Sequence, residues 1–69
     1  MEVDVVRLRE LRRERALALR ELGELSNVSL QTIWRIEAGR QGAHPTTIRK
    51  LAQVLGVEPS ELVKGGGNA

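Results

Sequence analysis

Cysteine, tyrosine and phenylalanine are absent from this 69-residue chain, and one tryptophan is its whole aromatic content. Without cysteine there is no disulfide framework, no thiolate nucleophile and no thiolate metal site, which suits a reducing interior. With a single aromatic residue, the core has to be aliphatic. No apolar run approaches the roughly 18–20 residues of a membrane span, and the N-terminus lacks a signal-peptide core. The expected location is the cytoplasm, with no membrane partner and the chain complete as it stands. Arrangements for catalysis are missing too: no Ser/His/Asp constellation, no Gly-rich phosphate loop between strand and helix, and no carboxylate pair with an evident cleft. The lone histidine, His44, has no metal-ligand neighbour at the right spacing and precedes Pro45, so it reads as a loop or capping residue. Neither an enzyme nor a cofactor is expected, since so small a domain cannot easily enclose a substrate.

What is present is charge, mostly as arginine. Nine of the eleven basic residues are Arg, against nine acids, for a formal net charge of +2. Arginine suits bidentate contacts to phosphate and guanine. Between Arg7 and Arg15 its alternation with Glu reads as an ordinary solvated face. Residues 29–50 differ, because Arg35, Arg40, Arg49 and Lys50 face Glu37 alone, a local excess of 4 − 1 = +3. That excess reads as an anion-facing patch.

The apolar spacing predicts five helical segments and no strand. The first runs from Asp4 to Arg15 with a stripe of Val5, Leu8, Leu11, Arg12 and Arg15. The second carries Leu19, Leu22 and Leu25 and ends near Ser26, with Asn27 able to take the left-handed turn that follows. A third covers about nine residues after Ser29. Ile48, Leu51, Ala52 and Leu55 mark a fourth, with Pro45 in its first turn and Gly56 past its end. A last turn starts at Glu58-Pro59 and holds Leu62 and Val63. Residues 1–64 are thus one domain, near the lower size limit for a single core, and residues 65–69 a floppy Gly-rich tail.

The third segment carries the most information. At 100° per residue, Ile33 and Ile36 fall on one side, and Gln31, Trp34, Arg35 and Ala38 on the other. Ser29 can cap its start and Gly39 can supply the left-handed residue that ends it. Such a helix is too short to be stable alone and must be clamped by neighbours. A clamped helix presenting an amide, a guanidinium and an indole fits a groove, and that of double-stranded DNA is the leading candidate. Trp34, lying away from the Ile33/Ile36 face, is expected to be exposed. Only Asn27 to Ser29 separate the second and third helices, with Val28 buried in the turn. So short a link fits a helix-turn-helix, whose second helix enters the major groove.

Three runs carry a family resemblance: Leu8-Arg9-Glu10-Leu11-Arg12, Leu22-Gly23-Glu24-Leu25-Ser26-Asn27-Val28-Ser29 and Thr32-Ile33-Trp34-Arg35-Ile36-Glu37-Ala38-Gly39-Arg40. With Pro45 to Ala52 and Leu55-Gly56-Val57, they resemble the Cro and phage-repressor type of helix-turn-helix, the XRE family of transcriptional regulators. The likeness extends from Arg7 to Val63 and implies an all-α, five-helix, lambda-repressor-like domain. It also implies base contacts from Leu30, Gln31, Trp34 and Arg35. By chemistry, Gln suits adenine, Arg suits guanine, and Leu or Trp suits a thymine methyl. Implied phosphate contacts are Leu19 and Arg20 at the start of the second helix, through free N–H groups, and Arg40, Gln41 and Thr46 beyond the third. The family further implies a partly buried ion pair between Arg12 and Glu37.

In two places the chain departs from the family. Ala18, Leu19 and Leu30 stand where relatives often have a cap and a pair of bracing amides. Leu19 and Leu30 would then form either a methyl-reading surface or a patch for a protein partner. Gly23, where the family favours Ala, weakens the second helix but lets the third approach it closely. The expected function is sequence-specific DNA binding by a homodimeric transcriptional repressor. Val57, Leu62, Val63 and Val54 are the expected dimer surface. The alternative is an antitoxin or coactivator-type interaction module whose partner is a toxin or the transcription machinery.

Overall fold

The computed structural model describes residues 1–65. Apart from Gly65, the expected tail lies outside the described residues. Four α-helices, α1 (Val5–Glu14), α2 (Leu19–Ser26), α3 (Leu30–Glu37) and α4 (Pro45–Leu55), precede a 3-10 turn at Pro59–Leu62. The fifth expected helix is therefore a single tight turn. Each boundary has a local cause. The Asp4 carboxylate accepts the Arg7 N–H at 3.1 Å, and Ser29 Oγ accepts the Thr32 N–H at 3.1 Å, so α1 and α3 both start at a side-chain cap. Ala18 has no such acceptor, but Glu21 reaches back to accept the Ala18 N–H at 2.9 Å, which keeps half of a capping box. Helix α2 ends at Asn27 (φ 60°) and α4 at Gly56 (φ 72°), both left-handed.

Leu8, Leu11, Leu22, Ile33, Ile36, Ile48, Leu51, Leu55 and Leu62 are the large side chains sealed in the centre. Every element contributes to that centre, and α4 packs against both α2 and the 3-10 turn. The third helix is clamped from behind by α2 and α1, as its shortness requires. Close approach depends on Gly23: a Cβ there would sit 2.9 Å from the Val28 carbonyl oxygen and 3.5 Å from Ile33 Cδ1.

Three expectations about burial change. Leu25, placed on the inner stripe of α2, is 63% exposed. The stripe drifts because Gly23 and Ser26 take the inward positions beside Leu22. Leu62 is sealed in the core and so cannot belong to a dimer surface; Val54, Val57 and Val63 are half-buried against it. Val28 is likewise half-buried. The region before α1, read as having no strand, forms an antiparallel bridge between Val3 and Val63. Asp4 N–H donates to Leu62 O at 2.8 Å and Lys64 N–H to Glu2 O at 3.1 Å. Val3 is buried there, closing the core at the end opened by the 3-10 turn. Among the described residues, no helix is long and apolar enough to cross a membrane.

Candidate nucleic-acid interface

An eight-residue helix can present side chains in a fixed geometry only on a rigid base, and α3 has one. Arg12 Nε donates to Glu37 Oε2 at 2.8 Å and Arg12 Nη2 to Glu37 Oε1 at 3.0 Å, a bidentate pair between α1 and the last residue of α3. Arg12 Nη1 also donates to the Leu17 carbonyl at 2.8 Å, so the same guanidinium ties the α1–α2 loop to α3. The Glu37 and Arg12 side chains are only 7% and 14% exposed. Arg9 Nε adds a longer approach to Glu37 Oε1 at 3.7 Å. With Ile33 and Ile36 buried beside this pair, the inner half of α3 is fully engaged.

The outer half is free. Leu30 and Trp34 are 46% and 49% exposed, and Gln31, Arg35 and Ala38 are exposed with them. The fold thus brings Leu30, Gln31, Trp34 and Arg35 onto one outward face, an apolar strip one turn long flanked by an amide and a guanidinium. Beyond Glu37, left-handed Gly39 (φ 74°) turns the chain, and the exposed Arg40 and Gln41 follow. A shallow depression lined by Thr32, Gln41, His44 and Thr47 separates α3 from the start of α4. His44 occupies the N-cap position there without a side-chain cap bond, and Pro45 opens the helix. Thr46, in that first turn, is exposed, and its N–H has no acceptor within the helix. Arg20 is exposed at the start of α2. Leu19 is half-buried against the core, which leaves its backbone N–H, not its side chain, to face an anion.

Two features of this region escaped the sequence. The Arg40 guanidinium carbon lies 5.4 Å from the centroid of the Trp34 ring; no spacing rule spans a left-handed turn, so nothing in the chain pointed to the contact. The loop is also held from outside. The Met1 ammonium donates to Ala43 O at 2.8 Å, and Ala43 N–H donates back to Met1 O at 2.9 Å.

A family model described as a helix-turn-helix domain matches residues 5–64. Two Bacillus subtilis (strain 168) proteins are similar. One is the uncharacterised HTH-type transcriptional regulator RghRB, 45% identical over 62 residues, covering 88% of this chain and 45% of that protein. The other is the HTH-type transcriptional repressor RghR, 43% identical over 61 residues, covering 87% and 45%. The chain spans less than half the length of both relatives. Among solved structures, the restriction-modification controller protein C.AhdI from Aeromonas hydrophila superposes with a TM-score of 0.78 at 35% identity, over 83% of this chain and 86% of that one. An HTH_3 family transcriptional regulator from Vibrio cholerae gives 0.76 at 30% identity, over 83% and 32%. The buried Arg12–Glu37 clamp, the three-residue turn and the exposed outer face of α3 thus sit in a matched frame, and the chain belongs to the helix-turn-helix regulators of the XRE type.

Proposed function

We propose that this protein is a sequence-specific DNA-binding transcriptional regulator acting as a repressor, with α3 in the major groove. One observation carries the reading: α3 buries Ile33 and Ile36 completely while Leu30, Gln31, Trp34 and Arg35 all stand exposed on its other face. Burying one face fixes the helix, and the other then offers groups suited to adenine, guanine and a thymine methyl. Arg20, Arg40, Gln41 and Thr46, with the first-turn N–H groups of α2 and α4, supply the phosphate contacts that set the register. The repressor role is supported by the similarity to RghR. A homodimer follows from information content, because one such helix reads only a few base pairs, and two copies would meet half-sites about 34 Å apart.

Selection of bound duplexes from a random pool tests the reading. The expected result is an enriched motif with two-fold symmetry. Equal affinity for every duplex would overturn the site-specific claim. The 63% exposure of Leu25 favours a second reading, an antitoxin or coactivator-type module that binds a protein through this apolar side chain. Loss of partner binding on Leu25→Lys, with DNA binding intact, would distinguish it.

A further inference from the structure

Trp34 and Arg40 stand six residues apart on either side of the end of α3. Had the helix continued, their side chains would point about 120° apart and be separated by about 9 Å along the axis. Left-handed Gly39 brings them together. Ala38 N–H donates to Trp34 O at 2.9 Å, Gly39 N–H to Ile36 O at 3.0 Å and Arg40 N–H to Arg35 O at 2.9 Å, so the backbone beneath Arg40 is set by three successive bonds. Three residues further on, the Met1–Ala43 pairing holds the other end of the loop. The guanidinium carbon then lies 5.4 Å from the indole centroid, inside the roughly 6 Å over which a ring quadrupole attracts a cation. Among the described residues Arg40 has no carboxylate within ion-pair distance. Its charge is therefore stacked but not neutralised.

We infer that Arg40 is a positioning residue for Trp34. Its guanidinium covers one face of the indole, fixes the angle of the ring at the end of α3, and leaves the other face and the edge to meet a base. An exposed indole without this cover would lose freedom about two side-chain torsions on binding, a cost that a preformed stack removes beforehand. The pair becomes one contact unit, with the ring toward a pyrimidine C5-methyl and the cation toward the adjoining phosphate. Base preference at the Trp34 position then depends on a residue that touches no base. The inference deepens the proposed DNA reading of α3 and rests on it, except for the stack itself, which belongs to the free protein.

The test uses Trp34 as its own reporter, because the chain has no other Trp and no Tyr. In the free protein, Arg40→Ala and Arg40→Lys should both raise acrylamide quenching of Trp34, with the melting temperature unchanged. Lysine keeps the charge, but its compact, strongly hydrated ammonium lacks the planar face that stacks. Quenching unchanged in both variants would overturn the inference whatever the DNA result. On the selected duplex, Arg40→Lys should weaken binding about two- to fivefold, leave the salt slope alone, and relax preference at the base pair that Trp34→Ala relaxes. In a Trp34→Ala background the same change should cost nothing further. An equal loss with and without the indole would make Arg40 a plain phosphate contact and overturn the positioning role. A parent protein that prefers no duplex would instead defeat the DNA reading, and the readout role of the pair with it.

Discussion

Glu37 shows how a single side chain can decide whether α3 is a rigid probe or a loose one. Taking a carboxylate and a guanidinium out of water costs several kcal/mol per ion, and only good geometry repays it. Here the two hydrogen bonds of 2.8 and 3.0 Å supply that geometry, and the bond to Leu17 O uses a further Arg12 donor. Removing one partner is worse than never having had the pair. Glu37→Ala should therefore lower stability by about 3 kcal/mol or more, read from a thermal or urea melt, because it strands the Arg12 charge. Replacing both residues by well-packed apolar side chains should recover much of the loss. A Glu37→Ala melt matching the parent would mean that the guanidinium is freely solvated. Trp34 behaves oppositely. Half-exposed as it is, its truncation to Ala should leave the melting temperature nearly unchanged while weakening DNA binding. A core tryptophan would have cost about 3–5 kcal/mol.

Among the elements, α3, like α2, is too short to stand alone: eight residues of helix are marginal in water. Its cap matters accordingly, and Ser29→Ala should cost about 1 kcal/mol in a melt. Readout and positioning separate along the element. Gln31→Ala and Arg35→Ala should each cost about 1–3 kcal/mol on the selected duplex and relax preference at particular base pairs. Arg20→Ala should weaken all duplexes alike and flatten the salt slope by about one unit. The apolar strip of Leu30 and Trp34 has its own test: replacing thymine by uracil in the selected site removes only the C5-methyl. That change should cost about 0.8 kcal/mol for each methyl the strip covers, and indifference to it at every position would place the strip elsewhere than against thymine. The turn between α2 and α3 was readable because it depends on local chemistry. Asn27 tolerates the left-handed conformation, and Gly23 offers no Cβ to the Val28 carbonyl.

For the molecule as a whole, the proposed DNA-binding face and the core that holds the fold have separate tests. If each monomer neutralises about three phosphates, a dimer's log K should fall with log salt at a slope near −5, as a titration across salt concentrations would measure. On the folding side, Leu62→Ala should destabilise by about 2–5 kcal/mol, as a buried Leu does. Its signature should be a lowered melting temperature at every protein concentration. A change in oligomeric state with the melt intact would return Leu62 to the surface.

Helix positions, caps and the outward face of α3 were legible in the chain because they follow from neighbours three or four residues apart. Ile33 and Ile36 must share a face, Ser29 must precede the helix it caps, and Pro45 and Gly56 mark the ends of α4 through their own backbone preferences. The family resemblance added the pairing of Arg12 with Glu37, to which the three-dimensional arrangement lent its distances. Contacts between distant segments had no such signature. Val3 is buried only because Val63 returns beside it, and Leu62 is sealed only because that return closes the core. Leu25 is exposed because Leu22, Gly23 and Ser26 are the residues α2 turns inward as it packs between α3 and α4. Arg40 reaches Trp34 only because Gly39 reverses the chain between them. Periodicity along one helix determines which residues share a face; what that face meets depends on loop closure and packing between elements, which only the folded chain decides.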